Sequence, residues 1–230
     1  MGIIKKSLIV IYIFGLLILI SCNKPGTKPA SNTAPQTVSD TDGNVYHTVT
    51  IGTQVWMVEN LKTTKYRDGT PITNVTAATW STLTTEAYCD YLNTPSNSAI
   101  YGRLYNWYAA TNNNICPKGW HVASDADWTT LTNFLGDTST DGGKLKETGT
   151  SHWLSPNTGA TNETGFTALP GGYRGDGGAF VGMGTNGGWW TTTASSSTNA
   201  WYRWMYNNLS AINKFNVYKA VGFSIHCVKD

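Results

Sequence analysis

Val45, His47, Val49 and Ile51 stand at every second position, the period of a half-buried strand. Asp40 to Asn44 is a turn before it, and Gly52-Thr53 turns the chain again after it. Gln54 to Val58 then forms a second strand, so the folded part is expected to open with a hairpin. The clearest unit starts at Cys116-Pro117-Lys118-Gly119, which turns into a short strand, Trp120 to Val122. Ser124 caps a helix with Asp125 and Asp127 in its first turn, where the helix dipole favours anions. Trp128, Leu131, Phe134 and Leu135 recur at helical spacing, and Gly136 ends the run, which predicts a helix over 125–135.

Weaker patterns fill the rest. Ala77 to Leu83 reads as a short helix placing Trp80 and Leu83 inward. Tyr101 to Ala110 fits strand or helix, and its aromatic richness favours strand. Glycines and short apolar pieces predict loops over 137–199. Gly222 to Val228 alternates as a half-buried closing strand. In a strand 200–206, Tyr202, Trp204 and Tyr206 share one face, and Trp201, Arg203 and Met205 share the other. One face is expected to pack on the core, leaving the other as a row of rings in solvent beside Asn207, Asn208, Asn213 and Asn216. The rival is a strand buried on both faces next to a solvated Asn-rich loop.

The first residues carry a different signal. Lys5 and Lys6 precede an apolar run, Leu8 to Ile20, that is shorter than the roughly 20 residues of a membrane span. Leu19-Ile20-Ser21-Cys22 resembles the bacterial lipobox, in which the cysteine is acylated and becomes the mature N-terminus. That resemblance implies a signal peptide over 1–21 and a lipid anchor on Cys22; an uncleaved signal anchor is the alternative. Residues 22–39 are rich in Pro, Thr, Ser, Ala and Lys and read as a flexible tether to one domain over 40–230.

Composition narrows the partners. Of 16 basic residues, Lys5 and Lys6 leave with the signal, so 14 face 14 acidic ones and the mature charge is about zero. Such balance argues against nucleic acid. Ten Trp and twelve Tyr with 24 Gly suggest a loop-rich β domain that binds something polar or carbohydrate-like. The plainer reading is that Trp fills the core, and we expect this of about half of them. With Cys22 claimed by lipid, Cys89, Cys116 and Cys227 are an odd set for an oxidising compartment. Cys116 opens the strand-to-helix unit and Cys227 sits in the closing strand, so these two are the favoured pair. Cys89 with Cys116 is the rival.

Catalytic patterns are few. Gly182-Met183-Gly184-Thr185-Asn186-Gly187 fits the dinucleotide fingerprint by letter, but no helix can be drawn after it, so a glycine-rich loop is preferred. His47, His121, His152 and His226 lack partners at metal-ligand spacing. His226 and Cys227 point to opposite faces of a strand and make a poor dyad. Asp40-Thr41-Asp42-Gly43-Asn44 begins like a calcium loop but lacks a Glu at its twelfth position, so it is read as a turn. No cofactor is expected, no catalytic group is assigned, and any metal is left open.

Several segments in order resemble the Fibrobacter succinogenes major paralogous domain family. They are Asp42-Gly43-Asn44-Val45-Tyr46, Ile51-Gly52-x-Gln54-Val55-Trp56-Met57-x-Glu59-Asn60-Leu61 and Leu104-Tyr105-Asn106-Trp107-Tyr108-Ala109-Ala110. Cys116-Pro117-x-Gly119-Trp120-His121-Val122, Gly165-Phe166-x-Ala168-Leu169-Pro170-Gly171-Gly172-Tyr173-Arg174 and Gly222-Phe223-Ser224-Ile225-x-Cys227-Val228 complete the set. Ala123 departs from the family's usual Pro. The resemblance implies lipoproteins or secreted proteins of Bacteroidetes-like bacteria. The closing pattern is similar to that of the C-type-lectin-like fold, shared with formylglycine-generating enzymes and with variable proteins of diversity-generating retroelements. It implies an α+β fold of small mixed or antiparallel sheets with one main helix and long Gly-rich loops. The helix would pack on a small sheet, the termini would meet near the opening hairpin, and loops over 137–218 would build the ligand face. In diversified relatives variation precedes the last Gly-Phe-rich strand, which points to Trp201, Tyr202, Trp204, Tyr206, Asn207, Asn208, Asn213, Asn216 and Tyr218 as ligand-binding positions. The active-site cysteine pair of formylglycine-generating enzymes has no match here.

The expected function is therefore a lipid-anchored envelope protein, adhesin-like, that recognises a glycan or a protein through this aromatic and Asn face. An envelope enzyme acting on polysaccharide or protein is the alternative, and a structural lipoprotein without a small ligand is another. The segment Asn23-Lys24-Pro25-Gly26 after Cys22 carries no acidic cluster, which favours the periplasmic side of the outer membrane over the cell surface.

Overall fold

The computed structural model describes Gly2 and residues 36–230. The expected signal peptide apart from Gly2, the expected lipid site Cys22 and most of the expected tether lie outside the described residues. Residues Ala34–Asp230 form a compact unit. Among the described residues, no helix is long and apolar enough to cross a membrane.

In chain order the strands are β1 (Thr37–Ser39), β2 (Val45–Ile51), β3 (Gln54–Met57), β4 (Thr73–Asn74), β5 (Ala87–Cys89), β6 (Leu104–Tyr105) and β7 (Trp120–Val122). They continue as β8 (Tyr173–Arg174), β9 (Phe180–Val181), β10 (Asn186–Ala194), β11 (Asn199–Tyr206), β12 (Asn213–Tyr218) and β13 (Cys227–Lys229). The α-helices are α1 (Pro95–Tyr101), α2 (Trp107–Ala110), α3 (Asp125–Leu135) and α4 (Asp141–Leu145). The fold is α+β, built of small, mostly antiparallel sheets with few helices.

The first sheet has the order β1-β2-β3-β13-β7. Its β2–β3 pair is the expected hairpin, and β1 extends the sheet into the stretch read as tether. Asp40 closes the turn between β1 and β2: Oδ1 accepts the Asn44 N–H at 2.9 Å, and Oδ2 accepts the Tyr46 hydroxyl at 2.6 Å. The second sheet, β10-β11-β12, is antiparallel with β11 in the middle and β12 at an edge.

Helix α3 has the predicted bounds. Ser124 Oγ accepts the Asp127 N–H at 3.2 Å and Asp127 Oδ2 accepts the Ser124 N–H at 2.8 Å, a reciprocal capping box. Trp128, Leu131 and Leu135 are buried, but Phe134 is 62% exposed and lies across Gly52. The stripe is thus narrower than the periodicity predicts. Trp80 is buried in a short 3-10 helix, Ala78–Thr82, with Leu83 packed half-buried beside it. The stretch 101–110, expected as strand, is broken. Gly102 ends α1, two residues make β6, and Asn106 caps α2 by accepting the Ala109 N–H at 3.1 Å. The loops expected over 137–199 are interrupted by α4 and by the nine residues of β10.

Cys116 and Cys227 are bonded, with Cα atoms 6.1 Å apart, and Cys89 is a free, buried thiol. Gly222 to Val228 differs from its expected form. All seven residues are buried, and their backbone bonds go to several segments in turn. Phe223 exchanges hydrogen bonds with Tyr105, Ser224 N–H donates to Gly188 O, and the Ile225 and His226 carbonyls accept from Leu61 and Ala123. A segment threaded through the interior has no solvent side, so its alternation separates two apolar cores. Phe223, Ile225 and Cys227 join one core with Tyr105 and Trp190, whereas Val228 joins Trp56, Trp128 and Trp189 in the other.

Eight of the ten Trp residues are buried, well above the expected half. Their N–H groups explain part of this. Trp189 Nε1 donates to Asn60 Oδ1 at 2.7 Å, Trp190 Nε1 to Tyr105 O at 2.9 Å, and Trp153 Nε1 to Ala168 O at 2.8 Å. These three rings are buried with their donors paired, whereas the Nε1 groups of Trp56, Trp80, Trp128 and Trp204 are buried without a partner among the described residues.

Candidate functional site

Strand β11 divides its side chains as its alternation requires. Met205 packs into the core of Trp56, Trp128 and Trp189. Buried Arg203 reaches Asp125 at the start of α3, Nη1 to Oδ1 at 2.8 Å, and Lys214 takes the other oxygen at 2.8 Å. Partial burial opposes ionisation of Asp125, but these hydrogen bonds outweigh it and hold its pKa below the usual carboxylate value. Trp201 belongs to this face, with Lys214 Nζ 4.3 Å from its ring centre.

The opposite face carries Tyr202, Trp204 and Tyr206. It too has a covering layer, so the expectation that only one face packs is corrected. Phe223 stacks on Tyr202 with ring centres 4.6 Å apart, and Tyr173 meets Trp204 edge to face at 5.3 Å. The cover is incomplete. A cavity of about 320 Å³ remains between the sheet, the β8 end and the Val217–Phe223 segment. Tyr202, Trp204, Tyr206, Tyr173 and Phe223 supply its rings, and Asp176 stands at it. A second cavity of about 340 Å³ shares Asp176 and is lined by Tyr218, Tyr108, Lys219 and several Ser and Thr residues.

Gly188 makes this arrangement possible. A Cβ there would lie 2.6 Å from Trp204 Cζ3 and 2.8 Å from Phe223 Cδ1, so any larger residue collides with the cavity floor. At the end of β8, the Arg174 guanidinium is buried and donates to Val75 O at 2.6 Å and Ala77 O at 2.8 Å, which fixes the base of the turn that carries Asp176. Burial first, then the nearby Tyr206 and Tyr173, push the Tyr202 hydroxyl up to about 12. It is a neutral hydrogen-bonding group at ordinary pH.

The nine positions expected to bind ligand therefore separate. Tyr202, Trp204 and Tyr206 meet at one cavity, although Trp204 is only 6% exposed, and exposed Tyr218 lines the adjoining one. Trp201 is on the far face. Asn207 is committed to structure, its Nδ2 donating to Leu154 O at 3.2 Å and Ser155 O at 2.9 Å. Asn213 is half-buried in β12, exposed Asn216 accepts from Asn199 at 3.2 Å, and Asn208 is exposed in the turn after β11. Tyr173, Asp176 and Phe223 complete the cavity and were not among the expected positions. Tyr173 and Phe223 lie in motifs already noted, but nothing local links them to a strand some distance away in the chain. Asp176 sits among glycines, Gly175, Gly177 and Gly178, a turn signal that gives no hint of a site.

Other groups with chemistry in them are bonded or buried. Cys227 is in the disulfide, which removes it from any Cys/His pair. His226 is buried, stacks on Phe166 with ring centres 4.5 Å apart, and places Nδ1 2.9 Å from Met57 O. Burial pushes the Cys89 thiol up to about 12, despite Arg174 nearby. Asp42 Oδ2 accepts the Thr64 hydroxyl at 2.8 Å. The 182–187 glycine run leads into β10, a strand, and so lacks the helix N-terminus a pyrophosphate needs. A larger cavity of about 610 Å³, lined by Asp40, Arg67, Asp68 and Lys118 among others, lies elsewhere and mixes both charge signs.

The family model described as the Fibrobacter succinogenes major domain matches residues 49–229, most of the chain. No curated protein and no solved structure matches it.

Proposed function

The chain belongs to the Fibrobacter succinogenes major domain family, and from that premise we propose that it is a binding module of C-type-lectin-like fold, held at the cell envelope by lipid on Cys22. Its ligand is a polar group of a glycan or protein, taken into the cavity on the Tyr202–Trp204–Tyr206 face of β11. One observation carries this reading: that face is packed by Phe223 and Tyr173 yet keeps an aromatic cavity of about 320 Å³. Rings held by a core lose little entropy when they take up a ligand. The lining offers ring faces, hydroxyls and one carboxylate, a set suited to recognition.

The test is a glycan array and an envelope pull-down with the purified protein, followed by titration of each hit. Tyr202→Ala and Tyr206→Ala should each weaken binding about tenfold, an interface anchor's usual share. Should neither change the affinity, the site is placed wrongly. The anchor is tested separately: radiolabelled palmitate should mark the wild type and not Cys22→Ser.

A further inference from the structure

The rings of the cavity do not form a flat platform. Tyr202 meets Trp204 at 88° with centres 5.7 Å apart, Trp204 meets Tyr206 at 76° and 5.8 Å, and Tyr173 meets Trp204 at 74° and 5.3 Å. Crossed rings of this kind wall a box. A sugar ring wants one broad exposed face; a box instead turns several π surfaces and edges toward one small volume.

Charge is distributed to match. Elsewhere in the domain the chain's own cations sit over aromatic faces. Arg174 covers Trp80 at 4.7 Å and Phe180 at 4.9 Å, Lys146 covers Trp153 at 5.3 Å, and Lys219 covers Trp107 at 4.4 Å. Among the described residues no cation covers Tyr173, Tyr202, Trp204 or Tyr206, and no basic side chain lines their cavity. The one charged lining group is Asp176. It is exposed, its Oδ1 accepts only the Gly177 N–H of its own turn at 3.0 Å, and it forms no ion pair among the described residues. Ring surface that no cation of the described residues covers, beside a carboxylate without an ion pair, is complementary to a cation.

Hydrogen bonding decides which cation. A primary ammonium brings three N–H donors that each need an acceptor. A quaternary ammonium brings none, and gains from ring faces, methyl contacts and net charge alone. Five ring residues and two valines, Val217 and Val221, are seven of the nine residues of this lining, and the tyrosine hydroxyls stand among them. We propose that the cavity binds a quaternary ammonium head group of the choline type, with the crossed rings of Tyr173, Tyr202, Trp204 and Tyr206 as its cage and Asp176 as its counter-ion. This rests on the reading of the cavity as the binding site and names the chemistry of its ligand.

The experiment is titration of the full-length protein with choline chloride, followed by calorimetry, in a detergent free of choline and sugar. Saturable binding in the millimolar range is expected, as befits a head group of a few atoms. Ethanolamine should bind about tenfold more weakly. Tyr206→Ala and Asp176→Asn should each weaken choline about tenfold. Asp176 is exposed, so its Asn variant keeps the fold, and circular dichroism will verify this. Absence of saturation at about 100 mM choline overturns the proposal, as does binding that neither variant weakens. A glycan that binds and is lost in Tyr206→Ala, while choline does not bind, sinks the ammonium proposal and leaves the site where it is. Failure of every ligand sinks both.

Discussion

Lys146 Nζ donates to the carbonyl oxygen of Tyr206 at 3.1 Å, so the end of the cavity strand is tied to a lysine with no exposed surface. The same ammonium donates to Thr158 O at 2.9 Å and Leu209 O at 2.8 Å, and it lies over the Trp153 ring. Burial draws its pKa down to about 8, while three carbonyls accept its three protons. It closes loops from three parts of the chain around one charge, without a carboxylate.

Lys146→Met should therefore be costly. The replacement fills much of the volume but leaves three buried carbonyls without donors, for a loss of about 3 kcal/mol. Urea unfolding measures it. The Tyr206 end should also loosen, which hydrogen exchange at Tyr206 to Leu209 will read.

Gly188→Ala should disturb the cavity floor without touching its rim. The new methyl meets Trp204 and Phe223 well inside contact distance, and both are held by neighbours. A loss of about 1–3 kcal/mol is expected, with altered tryptophan fluorescence and weakened ligand binding. Unchanged fluorescence and stability would show that the floor yields freely.

Acid should destabilise the fold through His226. Its folded pKa is drawn down to about 4 by burial, against the bond to Met57 O, while a free imidazole titrates near 6.5. Between those values the unfolded chain binds a proton that the folded chain refuses. Stability is thus complete above pH 6.5 and falls by about 3 kcal/mol as pH drops to 4. Asp125 and Asp127, whose pKa values are lowered, withdraw their share at lower pH still. Urea midpoints at about pH 7 and about pH 4.5 test this, and His226→Gln should flatten the difference.

Opening the disulfide should cost about 4–5 kcal/mol, the chain-entropy value for a bond whose cysteines lie 111 residues apart. Cys116→Ser compared with wild type by urea unfolding checks it. Because Cys89 is buried in a different core cluster from Cys116 and Cys227, no exchanged bridge should form in that variant.

Local signals are the ones that can be read. The hairpin β2–β3 and helix α3 follow from alternation, from the Ser124 cap and from Gly136, all within a few residues, although at the start of β2 Tyr46 turns inward and Val45 and His47 are exposed. The pairing of Cys116 with Cys227 follows from their places in ordered units. Features set by distant partners are hidden. Gly187 and Gly188 disguise strand β10 as loop, because what they are for is room: one admits the Trp189 ring and the other the Trp204 ring. Phe134 keeps the helical period yet lies off the core because Gly52 leaves its ring room at the surface. Asn207 looks like a contact residue until Leu154 and Ser155 arrive beside it. The cavity itself is assembled from β8, β11 and the 217–223 segment, and no short window contains two of them.

Strand β13 lies between β3 and β7, in the interior of the first sheet. A ribosome that has delivered everything up to Ile225 has still delivered two strands with bare facing edges and a cysteine without its mate. The domain must then stay unassembled until synthesis has passed Lys229, and a chain stalled short of it exposes sticky edges suited to aggregation or to a protease.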